Sequence, residues 1–156
     1  MKVSTSIIAA ICISIFCTDA LKGKSAPAKI ISDIVNLNQS TTAMKVTIGS
    51  KIYRATLKKT ATTDAFKSLL PLQLAMADLN DNEKYYDLPN KLPANASIVG
   101  NIKRGDILLY GNNTIVIFYK NLNSRFSYTK LGSIDDAQGL EEAMGSGTTV
   151  VKFEQY

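Results

Sequence analysis

The sequence predicts a mainly β fold with two short helices, arranged as a small barrel over residues 44–156. Three observations carry that prediction. Apolar and polar residues alternate in short runs, as at Met44, Val46 and Ile48 against Lys45 and Thr47, and a period of two is the signature of a half-buried strand. Turn residues separate the runs, as Gly49-Ser50, Asn80-Asp-Asn82 and Gly111-Asn-Asn113 do. Within residues 44–156, helical spacing is confined to 66–70 and 139–144; before them Ile30, Ile31, Ile34 and Val35 also have it, compatible with a helical turn or a flexible tether. Many short strands with two helices suit a small barrel.

Taken in order, residues 44–48 form a strand, Gly49-Ser50 turns the chain, and 52–57 form the returning strand. Tyr53, Ala55 and Leu57 then share one face, and Ile52, Arg54 and Thr56 the other. Thr62 or Thr63 caps the first helix, because a hydroxyl there accepts a hydrogen bond from a free amide of the first turn. Phe66, Leu69 and Leu70 lie on one face of that helix. Pro71 ends it, since the residue before a proline is pushed out of the α region. Leu72, Leu74 and Met76 alternate with Gln73, Ala75 and Ala77 as another strand. Tyr85-Tyr86, with Pro89 and Pro93 beyond, falls in an extended, irregular stretch. Residues 107–110 and 114–119 are strands around Gly111-Asn-Asn113, where Asn tolerates the positive φ of tight hairpin turns. Phe126 and Tyr128 mark a further short strand. Leu140 and Met144 share a face of the second helix, and residues 148–153 form the last strand.

The chain has 156 residues, enough for one domain and a useful core. Residues 1–20 read as a signal peptide: Lys2 supplies a positive start, and Val3 to Phe16 is apolar apart from Ser and Thr. That run is shorter than the roughly 20 apolar residues that span a bilayer. Small residues in Thr18-Asp19-Ala20 allow cleavage after Ala20. Residues 21–43 read as a polar tether. The sequence therefore predicts export to a periplasmic or secreted location, with membrane contact only through the signal or a lipid. The two cysteines, Cys12 and Cys17, both lie in the signal, so the mature chain has no disulfide. Cys17 is a candidate for lipidation, although the preceding Phe16 is larger than a lipoprotein signal prefers. The sequons at Asn38, Asn95 and Asn112 are read as chance occurrences.

Net charge is +5, with 18 Lys and Arg against 13 Asp and Glu. The basic residues are scattered, whereas nucleic-acid binding needs them clustered on one face, so no nucleic-acid partner is expected. The chain has no His, which removes the commonest general base near neutral pH. Without His, and without Cys after cleavage, thiolate nucleophiles, His-activated serines and ordinary zinc sites are excluded. No catalytic residue, cofactor or metal is expected. Asp135-Asp136 and Glu141-Glu142 are sequence neighbours that point different ways and serve the second helix. Asp78, Asp81, Glu83 and Asp87 read as a solvated acidic loop without the spacing of a calcium loop. Tyr85, Tyr86 and Tyr110 combine a flat apolar face with a polar tip, which suits a pocket or an interface. Arg125 can hold a carboxylate or a carbonyl.

Several segments, in this order and spacing, resemble the bacterial cyclophilin-like domain family. They are Phe66-x-x-Leu-Leu-Pro71, Glu83-Lys-x-x-x-Leu-Pro89, Gly105-Asp-Ile, Ile117-Phe-Tyr119 and Leu131-Gly-x-Ile134. Leu131 to Met144 and Thr148 to Lys152 are also similar to the closing helix and strand of cyclophilins proper. The resemblance implies a closed, mostly antiparallel barrel with helices over its open ends. It also implies a proline-binding groove whose aromatic floor corresponds to Phe118 or its neighbours. Cyclophilins place an Arg after an aromatic-His pair to polarise the prolyl amide. Tyr85-Tyr86-Asp87 stands at the similar position here, and the chain has no His and no Trp. The expected function is therefore binding of a peptide or small ligand, without catalysis, at Tyr85, Tyr86, Tyr110, Phe118 and Arg125. Two alternatives are a weak peptidyl-prolyl isomerase and a lipid-anchored envelope protein with a structural role.

Overall fold

In a computed structural model, residues 43–156 are described. The signal, the tether up to residue 42 and the Cys17 lipidation candidate lie outside the described residues. The chain runs β1 (Ala43–Ile48), β2 (Lys51–Leu57), α1 (Ala61–Lys67), β3 (Leu72–Leu79), β4 (Glu83–Asp87), β5 (Ser97–Ile102), β6 (Asp106–Tyr110), β7 (Thr114–Phe118), β8 (Leu122–Ile134), α2 (Leu140–Met144) and β9 (Thr149–Gln155). All strand pairs are antiparallel. The order is β2-β1-β9-β3-β4-β7-β6-β8-β5, and a further β2–β8 pairing closes the sheet into a ring. The fold is the mainly β barrel with two short helices that the sequence predicts.

Alternation along the strands builds the interior. Met44, Val46 and Ile48 of β1 meet Tyr53, Ala55 and Leu57 of β2 in one buried cluster, with Leu74, Met76, Ile107, Leu109, Ile115, Ile117, Val151 and Phe153. Phe66 of α1 and Leu140 and Met144 of α2 join the same cluster. The Phe66 ring stands edge-on to Phe153, with centroids 5.6 Å apart. The helix cap differs from expectation. Thr60 is the N-cap, accepting from the Thr63 N–H at 3.2 Å, while the Thr63 hydroxyl oxygen accepts from the Thr60 N–H at 3.0 Å. This reciprocal pair satisfies two amides at once, so the helix starts earlier than Thr62. It also ends earlier, at a Ser68 cap three residues before Pro71.

A second, smaller cluster lies on the other face of the sheet. Leu108, Val116 and Phe118 point outward and pack with Ile102 and Tyr128. What covers them is the first half of β8 and its partner β5. β8 is a single 13-residue strand, not the short strand expected around Phe126 and Tyr128. Its register against β6 shifts between Ile107 and Leu108, leaving Leu131 as an extra residue. A bulge of this kind bends a strand and sharpens its twist. Here it lets β8 cover the outer face and then close the ring against β2.

Candidate functional site

The residues 83–87, expected to be irregular, form β4. It lies between β3 and β7, with Glu83 opposite Phe118 and Tyr85 opposite Val116. The pleat sends Glu83, Tyr85 and Asp87 to the outer face, and Lys84 and Tyr86 inward. Lys84 is fully buried. Its ammonium reaches Asp78 Oδ2 at 2.7 Å and donates to the carbonyls of Gly145 at 2.9 Å and Gly147 at 2.6 Å. Three donors thus meet three acceptors, as a buried ammonium requires. The Tyr119 hydroxyl donates to the same Asp78 oxygen at 2.7 Å. Burial opposes ionisation of Asp78, but hydrogen bonds from Lys84, Tyr119 and the Asp81 amide hold its pKa below the usual value. Desolvation first, then the Asp78 contact, pushes Tyr119 well above its usual range. The acidic segment is therefore not a solvated loop: Asp78 anchors a buried cation and Glu83 is itself buried.

On the outer face, β4, β7, β6 and the first half of β8 enclose a groove of about 700 Å³. Val116, Tyr85, Leu122 and Tyr128 are among its apolar and aromatic walls, and Asn82, Glu83, Asp87, Ser124 and Arg125 bring polar groups to it. Tyr110 stands edge-on to Phe126 at 6.1 Å and tilted against Tyr128 at 5.5 Å. Tyr110 is 46% exposed and Phe126 63%, so both rings are open to a partner. The Asp87 carboxylate is occupied by the Thr114 hydroxyl.

Three residues singled out in the sequence meet here: Tyr85, Tyr110 and Arg125 all line the groove. Phe118 and Tyr86 do not. Phe118 faces the right way, but Tyr128 packs edge-on against it at 5.8 Å and buries it in the outer cluster. Tyr86, at the inward position of β4, packs against the barrel interior. The sequence reading missed Asn82, Glu83, Phe126 and Tyr128 as lining residues. Reading 83–87 as a strand would have placed Glu83 beside Tyr85. Lys84, a charge on the inward face, hid that alternation.

Glu83 is only 8% exposed. Burial, and then the neighbouring Asp78 charge, push its pKa up to about 7. Tyr128 is raised as well, by burial and then by the Glu83 charge. Among the described residues no hydrogen bond to the Glu83 carboxyl is made, and Asn82 Oδ1 is a buried acceptor without a partner. No group of three or more His, Cys, Asp or Glu among the described residues is placed to hold a metal ion.

A small closed antiparallel barrel with a ligand-sized groove on its outer face is the class of protein that these elements define. The cyclophilin-like family model matches residues 46–154, and the chain belongs to that family. Searches of curated proteins and of solved structures each returned no match.

Proposed function

We propose that the protein is an exported cyclophilin-like domain that binds a peptide or small molecule in the outer groove, without catalysing a reaction on it. The observation that carries this reading is the groove itself. Its volume of about 700 Å³ falls in the range of ligand pockets, and apolar walls with a few polar groups are what such pockets share. The exposed Tyr110–Phe126 pair supplies a stacking edge. Against catalysis stands the sequence, with no His or Trp in the chain and with Tyr85-Tyr86-Asp87 at the position similar to the Arg-bearing segment of cyclophilins. Export rests on residues 1–20. Mass spectrometry of the mature N-terminus tests it: an unmodified start at Leu21 supports cleavage, and a lipid on Cys17 supports the anchored alternative.

A second reading, weak prolyl isomerisation, is favoured by one observation: Arg125 lines the same groove as the aromatic pair. A guanidinium there could donate to a prolyl carbonyl. Uncatalysed isomerisation takes roughly tens of seconds, so slow catalysis is measurable. A proline-containing tetrapeptide is followed with micromolar protein, and the same peptide is titrated for binding. Binding without acceleration is the expected outcome. Acceleration abolished by Arg125→Ala overturns the non-catalytic reading in favour of the second.

A further inference from the structure

Adjacent residues on one wall of the groove present unanswered acceptors. Asn82 Oδ1 is buried without a partner, and Glu83, a residue 8% exposed, makes no carboxyl hydrogen bond among the described residues. Both line the groove. A buried acceptor left unpaired is costly, and Asn82 Oδ1 is the one such side-chain atom among the described residues; elsewhere the buried Lys84 meets three acceptors and Asp106 receives Lys130 at 2.7 Å and the Lys103 amide at 3.0 Å. We propose that this end of the groove receives an organic cation, an amine or guanidine carried on an aromatic or apolar body, with its N–H groups on Asn82 and Glu83. The proposal rests on the groove being the binding site and names the chemistry of its ligand.

The wall chemistry fits. Tyr85 and Tyr128 line the same cavity, and aromatic faces attract cations. The charged and titratable groups around Glu83 are few. Asp78 of β3, tied to Lys84 on the inward side, adds negative charge nearby. Tyr85 and Asp87 follow it on β4, while Lys84 turns inward. Tyr110 of β6 and Tyr128 and Arg125 of β8 line the cavity, and β7 carries no titratable residue. The free site holds its carboxyl protonated up to about pH 7. An incoming cation favours the carboxylate and displaces that proton. Cation affinity then rises with pH as the carboxyl ionises.

Calorimetric titration with phenethylamine, a cation throughout the range, and with phenethyl alcohol, its neutral counterpart, tests this at pH 5.5 and pH 8. Phenethylamine affinity should rise roughly 30-fold between the two, the ratio of ionised carboxyl for a pKa of about 7. Phenethyl alcohol should show no such rise. Titrations at pH 6.5 in two buffers of different ionisation heat should show proton release on binding the amine. Glu83→Gln should abolish the pH dependence of phenethylamine binding. Alcohol binding without amine binding overturns the cation proposal and leaves the groove as a binding site. Amine binding that is independent of pH and releases no proton overturns the role of Glu83. Failure of both probes up to millimolar concentration overturns the proposal together with the groove reading beneath it.

Discussion

Glu83 sits where packing and ionisation pull in opposite directions. Its strand position faces the groove, but Phe118 opposite and Tyr128 nearby leave its carboxyl little water. Burial and Asp78 therefore hold the proton on until about pH 7. The sign of the linkage follows. Between its ordinary value of 4.5 and about 7, the folded state binds more protons at Glu83 than the unfolded state does. Stability from this group is fully present below that window and is lost as pH rises through it. Glu83→Gln removes the loss, so the variant should melt above the wild type at pH 8 and much closer to it at pH 4.5. Thermal melts at the two pH values check this, and a constant gap between the proteins would contradict it. Asp78 has the opposite sense. Its pKa is lowered from 3.8, so its contribution is present above that value and is lost as pH falls through the lower folded value.

At the scale of the element, β4 shows what a strand can carry when both faces are committed. Its outward residues line the groove, and its inward Lys84 ties the strand to the segment between α2 and β9 through Gly145 and Gly147. Lys84→Met takes the cation from Asp78, whose side chain is 15% exposed and keeps the Tyr119 hydroxyl, so the cost falls at the low end for breaking a buried pair from one side, about 3 kcal/mol. A denaturant midpoint shifted by that amount is the expected result, and an unchanged midpoint would contradict the anchoring role. The strands that bury one apolar face were legible in the sequence because their pattern is the pattern of the core. Thus Met44-Val46-Ile48 and Tyr53-Ala55-Leu57 both pack where their alternation placed them. β4 was not legible, since its two faces hold Glu83, Tyr85 and Asp87 against Lys84 and Tyr86. β5 was missed for a related reason: Val99 and Ile102 pack in the outer cluster while Ile98 stays exposed, so its apolar residues do not alternate cleanly, and its register breaks between Ile98 and Gly100. The candidate site inherited that limit. Tyr110 and Arg125 were visible as residue types, while the burial of Phe118 under Tyr128 depends on a β8 arm whose length no local pattern reveals.

At the scale of the molecule, the groove exists because β8 does two jobs along its length. Its first half covers the outer cluster with β5, and its last residues close the ring against β2. Closure depends on Gly132, which lies opposite Leu57. A Cβ there would meet the Thr56 carbonyl oxygen and come within 2.9 Å of the Leu57 Cα, both backbone atoms. Gly132→Ala must push β2 and β8 apart, and forced overpacking costs about 1–3 kcal/mol. The expected result is a lowered melting temperature with faster amide exchange in 55–57 and 132–134, and exchange unchanged there would contradict the seam.

The proposed ligand site is the outer groove, not the barrel ends or another surface. Amide shift mapping by NMR during a titration with phenethyl alcohol tests it most directly. The expected result is saturable shifts concentrated at Tyr85, Tyr110, Val116, Phe126 and Tyr128, weakened by Tyr110→Ala. Saturable shifts confined to residues outside the groove, or none at all, would contradict it.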